Sequence, residues 1–220
     1  MPNNVETRMW LLSRDRKPLS EKQIEEFFSQ FISIDQEALA ERKEPRLFDF
    51  NTILPQPDNI WLGAVGGRED ENLKDIEEYG GLDAVKQALK EKKSFPITGQ
   101  PCLTNVQIKQ FGMVNGLDWN REHWETKWGA YDCLYDYAAI YGNGAKANVS
   151  FYTAWSVPEK ILRMVREIAL KQGYDIICEF GGELDNPGEY FAGKFMYWDA
   201  VWNEETGELE RQGDPIDVHE

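Results

Sequence analysis

Histidine and cysteine are scarce in this chain: among 220 residues there are two histidines, His123 and His219, and three cysteines, Cys102, Cys133 and Cys178. No H-x-x-x-H pair and no C-x-x-C occurs, so the ligand spacings of a zinc site are missing and no metal is expected. The odd, widely spaced cysteines form no disulfide framework and read as free thiols packed as small hydrophobes. Also missing are a G-x-S-x-G elbow, a Walker loop and a three-glycine dinucleotide fingerprint; Gly142-Asn143-Gly144 stops short of the last. These absences leave no catalytic residue to name and no cofactor to expect. No run of 18 apolar residues occurs, so a membrane-spanning helix is not expected. The opening Met1-Pro2-Asn3-Asn4-Val5-Glu6 carries no basic stretch followed by an apolar one, so a secretory signal is not expected and the cytoplasm is the expected location. Basic residues are few: 24 Lys and Arg stand against 39 Asp and Glu, for a formal charge of -15. Such a field repels phosphate backbones, which sets direct nucleic-acid binding aside.

What the chain does have is apolar mass. Hydrophobic residues make up 41% and aromatics 13%, with eight tryptophans, enough for a substantial core in a single domain over 1–220. Val5 to Ser13 reads as a strand. Ser20-x-x-Gln23 predicts a capping box, followed by an apolar stripe at Ile24, Phe27, Phe28 and Phe31. Leu47 to Pro57 reads as an extended segment stopped by its two prolines, and Leu73 to Lys92 as two helical pieces divided by Gly80-Gly81. Thr104-x-x-Gln107 fits a further cap. From Asp132 the period changes to two: a strand to Tyr141, a tight turn at Asn143-Gly144, and a partner strand with Val149, Phe151, Thr153 and Trp155 on one face. Ser156 and Glu159 predict a second capping box, with Trp155 buried before it, leading into an amphipathic helix that ends at Gly173. Tyr174 to Phe180 alternates again, and one or two more strands follow up to Trp202.

Strand, helix, insertion, strand, strand, helix, strand is the βαββαβ order of a ferredoxin-like α+β fold. The expected core unit is 1–34 plus 130–202, with a helical insertion of about ninety residues at 35–129, an extra C-terminal strand or hairpin, and an acidic, frayed tail at 203–220.

Four segments occur in order: Met1-Pro2-Asn3; Phe48-Asp49-Phe50-Asn51-Thr52-Ile53-Leu54-Pro55-Gln56-Pro57; Trp124-Glu125-Thr126-Lys127-Trp128; and Phe151-x-Thr153-Ala154-Trp155-Ser156-x-Pro158. Together they resemble the YubB-like proteins of phages and plasmids, whose C-terminal half is ferredoxin-like. The chain departs from many relatives at Asn4-Val5, where they carry Trp-Cys, and at Glu125, where they carry glycine. The resemblance implies a fold, a mobile-element context and a bacterial host, but no catalytic residues.

Two features point to binding. Trp119, Trp124, Lys127 and Trp128, with Trp155, form an aromatic set that suits a base, a peptide or a cation, or that glues the insertion to the sheet. Nearby Asp118, Glu122 and Glu125 are candidates for an acid/base pair. The second feature is charge: 13 acidic and 2 basic residues lie between Tyr174 and Glu220, with Glu179, Glu183, Asp185, Glu189, Glu204, Glu205, Glu208 and Glu210 the candidate acidic surface. The reading favoured is a non-catalytic, acidic protein-interaction module whose partner is a host or phage protein with a basic surface, a counter-defence inhibitor by nucleic-acid-like charge mimicry. The rival is a small-molecule or nucleotide-binding protein, or an enzyme, with a tryptophan-lined pocket between insertion and sheet.

Overall fold

In the computed structural model, described for residues 3–35, 39–40, 44–91, 101–144, 146–182, 187–203 and 208–216, alternation along the first strand sets the two faces of the main sheet. Of residues 199–203, 208–212 and 216 the backbone alone is described. Strand β1 (Asn4–Ser13) buries Val5, Thr7 and Met9 and turns Asn4, Glu6 and Arg8 the other way. Helix α1 (Glu21–Ser29) begins with the expected reciprocal box between Ser20 and Gln23 and buries Ile24, Phe27 and Phe28. A short antiparallel pair, β2 (Ile32–Ile34) and β3 (Arg46–Phe48), follows, and a single 3₁₀ turn (Phe50–Thr52) replaces the extended backbone expected after Phe48. Asp49 causes that turn, since its carboxylate accepts from Asn51 N at 2.9 Å.

The chain divides into two compact units, Met1–Leu54 with His123–Glu220, and Pro55–Glu122, so the separate unit is narrower than the insertion expected at 35–129. Inside the second unit, β4 (Ile60–Trp61) runs parallel to β7 (Val114–Asn115), and β5 (Ala64–Val65) to β6 (Cys102–Leu103). Helices α2 (Glu69–Glu78), α3 (Leu82–Lys90), α4 (Asn105–Gln110) and α5 (Gly116–His123) complete it. Trp61, Ile76, Val85, Leu103, Ile108 and Met113 form its own core. Thr104 and Gln107 make the expected box on α4, and buried Gln107 also bonds buried Asn72 at 3.0 Å and Glu69 O at 3.0 Å. These hydrogen bonds offset the cost of burying the two amides.

The rest of the first unit is β8 (Tyr131–Tyr135), β9 (Val149–Ala154), α6 (Glu159–Lys171), β10 (Tyr174–Gly182), β11 (Gly188–Phe191), β12 (Lys194–Asn203) and β13 (Glu208–Ile216). These strands and β1 form one antiparallel sheet of seven strands among the described residues, in the order β13-β12-β11-β10-β1-β9-β8. One face carries the core: Met9, Phe151, Ile176, Cys178 and Tyr190 are buried, as are Ile161, Leu162, Val165 and Ala169 of α6, which packs on β10. Phe48 stacks on Phe151 with centroids 5.1 Å apart and planes at 8°, and Phe50 meets both Phe151 and Trp124 edge-on.

Two expectations are corrected. The tight hairpin at Asn143-Gly144 does not form, because Asn143 lacks the positive φ that a type I′ turn needs. Strand β8 stops at Tyr135 instead. The buried Asn148 amide donates to Asp136 O and Ala139 O and accepts from Leu11 N, which holds the connection close to β1. That connection covers Trp10, whose indole N–H donates to Lys146 O at 3.0 Å and whose ring meets Tyr141 edge-on. The tail is not frayed throughout either: Glu208–Ile216 is a strand paired to β12, where ladder hydrogen bonds offset the chain entropy.

Core packing makes two expectations measurable. Phe151→Ala removes a ring with no exposure and should cost about 3–5 kcal/mol in denaturant unfolding. Thr7 Oγ1 is buried with no hydrogen-bond partner among the described residues, so Thr7→Val should stabilise the protein by about 1 kcal/mol in the same assay.

Candidate functional site

Opposite the core, the sheet bears a groove of about 600 Å³ lined by Asn4, Glu6 and Arg8 of β1, Asp132 of β8, Tyr152 of β9, and Glu179 with its successors to Gly182 on β10. Cross-strand register explains the grouping. Glu6 lies between Tyr152 and Gly181, and Arg8 lies between Ser150 and Glu179. Arg8 bonds Glu179 at 3.1 Å, while Glu189 stands opposite Glu179 on its other side. Like charges directly opposite repel, so Glu179 keeps its place through Arg8. Asp132 reaches the groove because β8 is irregular there: its φ is +48°, and the register shifts between Tyr131 and Leu134. Tyr131 donates its hydroxyl to Asn4 Oδ1 at 2.6 Å. Desolvation first, and the nearby carboxylates after it, hold the Tyr131 and Tyr152 phenols above their ordinary pKa, so both stay protonated.

The groove is lined mainly by polar and charged side chains. Its charged groups are carboxylates and one guanidinium at an open surface. Burial pushes the Cys133 thiol up to about 11 and Cys178 well above its ordinary value, so neither is a thiolate nucleophile at neutral pH. Among the described residues no group of three or more His, Cys, Asp or Glu is placed to hold a metal ion.

The aromatic set expected from the sequence is divided. Trp124 is core: it is buried, and its indole N–H donates to Leu54 O at 2.9 Å. Trp119 sits on α5 in the second unit. Lys127, Trp128 and Trp155 do come together, with Lys127 Nζ 4.7 Å from each indole centroid. Trp155 was expected in the core by the parity of Val149, Phe151 and Thr153, but it is 39% exposed. Its φ of +82° breaks the alternation and swings the ring outward. From Trp128 the aromatic row continues to Tyr131 at 6.5 Å and on to Tyr152 at 6.2 Å, at the wall of the groove.

The expected Ser156 cap is also corrected. Ser156 Oγ donates to Glu125 O, and Pro158 is the N-cap of α6 with no side-chain cap bond of its own. Glu125 supplies the anion instead, accepting from Lys160 N at 3.0 Å and pairing with Lys160 Nζ at 3.8 Å. Its carboxylate is therefore a cap, while Asp118 and Glu122 belong to the second unit. Of the acidic surface, Glu179 and Glu189 sit on β10 and β11. Glu208 and Glu210 pair through their backbones with Asn203 and Val201. Glu183, Asp185, Glu204 and Glu205 lie outside the described residues. Tyr152 is legible in the sequence as a strand aromatic of the open sheet face, whereas Glu6, Arg8 and Asp132 are not marked there as site residues. The signal for Glu6 and Arg8 was present, as the polar parity of β1 opposite Val5, Thr7 and Met9.

Comparison with family models, with curated proteins and with solved structures returned no match to this chain.

Glu125 combines a cap with a left-handed backbone, φ +63°. Glu125→Ala should cost about 1–2 kcal/mol through the lost cap. Glu125→Gly should cost about 1 kcal/mol less than the alanine variant, because glycine adopts that φ freely. Thermal unfolding of the pair checks this; equal losses would mean that the backbone there is unstrained.

Proposed function

We propose that this chain is a non-catalytic protein-binding module of a mobile genetic element, acting in the cytoplasm of a bacterial host and presenting an acidic sheet face to a partner with a basic surface. Its action is inhibition of a host defence protein by nucleic-acid-like charge mimicry. One observation carries the reading: the groove places three carboxylates, Glu6, Asp132 and Glu179, against one guanidinium that Glu179 already engages. A concave surface of one sign concentrates field and speeds encounter with the opposite sign. The formal charge of -15 extends that field beyond the groove.

The fold and the family belong to the same proposal. A ferredoxin-like core is supported by the order β10-β1-β9-β8 within the sheet and by helices following β1 and β9. Membership of the YubB-like family is supported by Glu125, whose φ of +63° suits the glycine that relatives carry there.

Association rates with a short arginine-rich peptide, and with any basic partner so identified, test the function. A groove variant (Glu6→Gln, Asp132→Asn, Glu179→Gln) should slow association about tenfold or more at low salt. A control with the same charge change on exposed residues of the second unit (Glu77→Gln, Glu78→Gln, Asp83→Asn) should change it little. Equal effects would reduce the groove to a share of the net charge and overturn the reading. So would binding of DNA or RNA probes at about 0.15 M salt, since a phosphate mimic repels phosphate.

A further inference from the structure

Trp128 and Trp155 face one cation between them. Lys127 Nζ stands 4.7 Å from the centroid of each ring, within the range where an indole face attracts a charge. Both rings are 39% exposed, so core packing does not account for their position.

Backbone hydrogen bonds hold the pair in place. Trp155 N donates to Asn3 O at 2.8 Å, Lys127 N donates to Ala154 O at 3.3 Å, and Thr126 Oγ1 donates to Trp128 O at 2.7 Å. Thr153 Oγ1 donates to Ser156 O at 2.8 Å, and Ser156 Oγ donates to Glu125 O, which ties the two segments at their bases. The tie holds two non-glycine residues in the left-handed region, Glu125 at φ +63° and Trp155 at φ +82°. A tryptophan with such a φ is a conformational outlier, and it persists only where its surroundings over-determine it. Here the outlier carries a large apolar ring away from the core and sets it opposite a second one.

The protein's own lysine reveals what this pair accepts. Around the site carboxylates outnumber cations: Glu125, paired with Lys160, lies at its base, and the row through Tyr131 and Tyr152 leads to Glu6, Asp132 and Glu179, with Arg8 the one cation lining the groove. A guanidinium is planar and more weakly hydrated than an ammonium, so it stacks on indole better than lysine does.

We propose that Trp128 and Trp155 form a two-walled aromatic receptor for an arginine side chain of the basic partner, and that Lys127 is its resident occupant, displaced on binding. The inference rests on the partner being basic, as proposed above, but adds a second contact point and its side-chain chemistry. It also gives Lys127 a regulatory part: an internal competitor that sets the affinity threshold for the guanidinium.

The test is nitrogen-15 NMR of the indole N–H signals of the full chain, assigned with Trp128→Phe and Trp155→Phe, titrated with N-acetyl-arginine amide. The Trp128 and Trp155 signals should move together and saturate. Those of Trp10, Trp61 and Trp124, each bonded to a carbonyl, should stay still and report an intact fold. Lys127→Ala should bind the probe more tightly by roughly two- to fivefold, the factor one exposed cation–π contact is worth. Lys127→Gln should do the same if the alanine variant disturbs the three reference signals. Trp155→Ala should abolish the response. Weaker or unchanged binding in both Lys127 variants overturns the proposal. So does inorganic phosphate that moves the pair in the parent and fails to in Lys127→Ala, which would make the site an anion receptor. The groove reading fails on the association rates of the groove variant, whereas this proposal fails on the indole signals and the Lys127 variants of the otherwise unaltered chain, so the two failures are told apart.

Discussion

The pairing of β1 with β9 on one side and β10 on the other decides which side chains meet on each face of the sheet. With β1 between two partners, its backbone groups are spent in ladders on both sides, and its alternation is imposed on both neighbours. Val5, Thr7 and Met9 then face the core beside Thr153, Phe151 and Val149. Asn4, Glu6 and Arg8 face the other way beside Tyr152, Glu179 and Gly181. A slip of one residue would exchange these sets and bury Glu6 and Arg8, whose desolvation the core could not offset. Groove and core are therefore two readings of one register.

Electrostatics on the open face follow from the same register. Glu179 has Arg8 on one side and Glu189 on the other, so attraction and repulsion act on one carboxylate. Both members of the ion pair are partly exposed, at 31% and 23%, so the pair adds little to stability. Its cost and benefit in folding are small. Its effect on an approaching charge is not, because the field of a concave surface acts at a distance.

Strain is concentrated beside this face. Of the five non-glycine residues with positive φ among the described residues, three, Glu125, Asp132 and Trp155, border the aromatic row or the groove. Each breaks a local rule to aim a group: Asp132 a carboxylate, Trp155 an indole, and Glu125 a cap on α6. Functional or strained sites are where local rules are expected to fail. The second unit keeps to the rules instead, with the boxed α4, its own apolar core and the satisfied Asn72–Gln107 pair.

The sequence by itself determined the elements whose causes are local. The Ser20 and Thr104 boxes, the stripe from Ile24 to Phe31, the break at Gly80-Gly81 and the alternation of β1 and β10 depend on neighbours a few residues away. A mixed α/β chain with a large antiparallel sheet was legible from these alone. The candidate site is legible only in part: sequence spacing groups Lys127, Trp128 and Trp155 but also Trp124, whose ring is core. Glu6, Arg8, Asp132 and Tyr152 come from three different strands, and nothing local brings them together. The parity of β9 pointed Trp155 inward, and Ser156 looked like a cap. Tertiary structure decided otherwise, because Glu125, thirty-five residues before Lys160, caps α6 from a distance and its carbonyl takes the Ser156 hydroxyl. Periodicity sees contacts three or four residues apart, whereas hydrogen bonds across such separations are chosen by the register of the sheet.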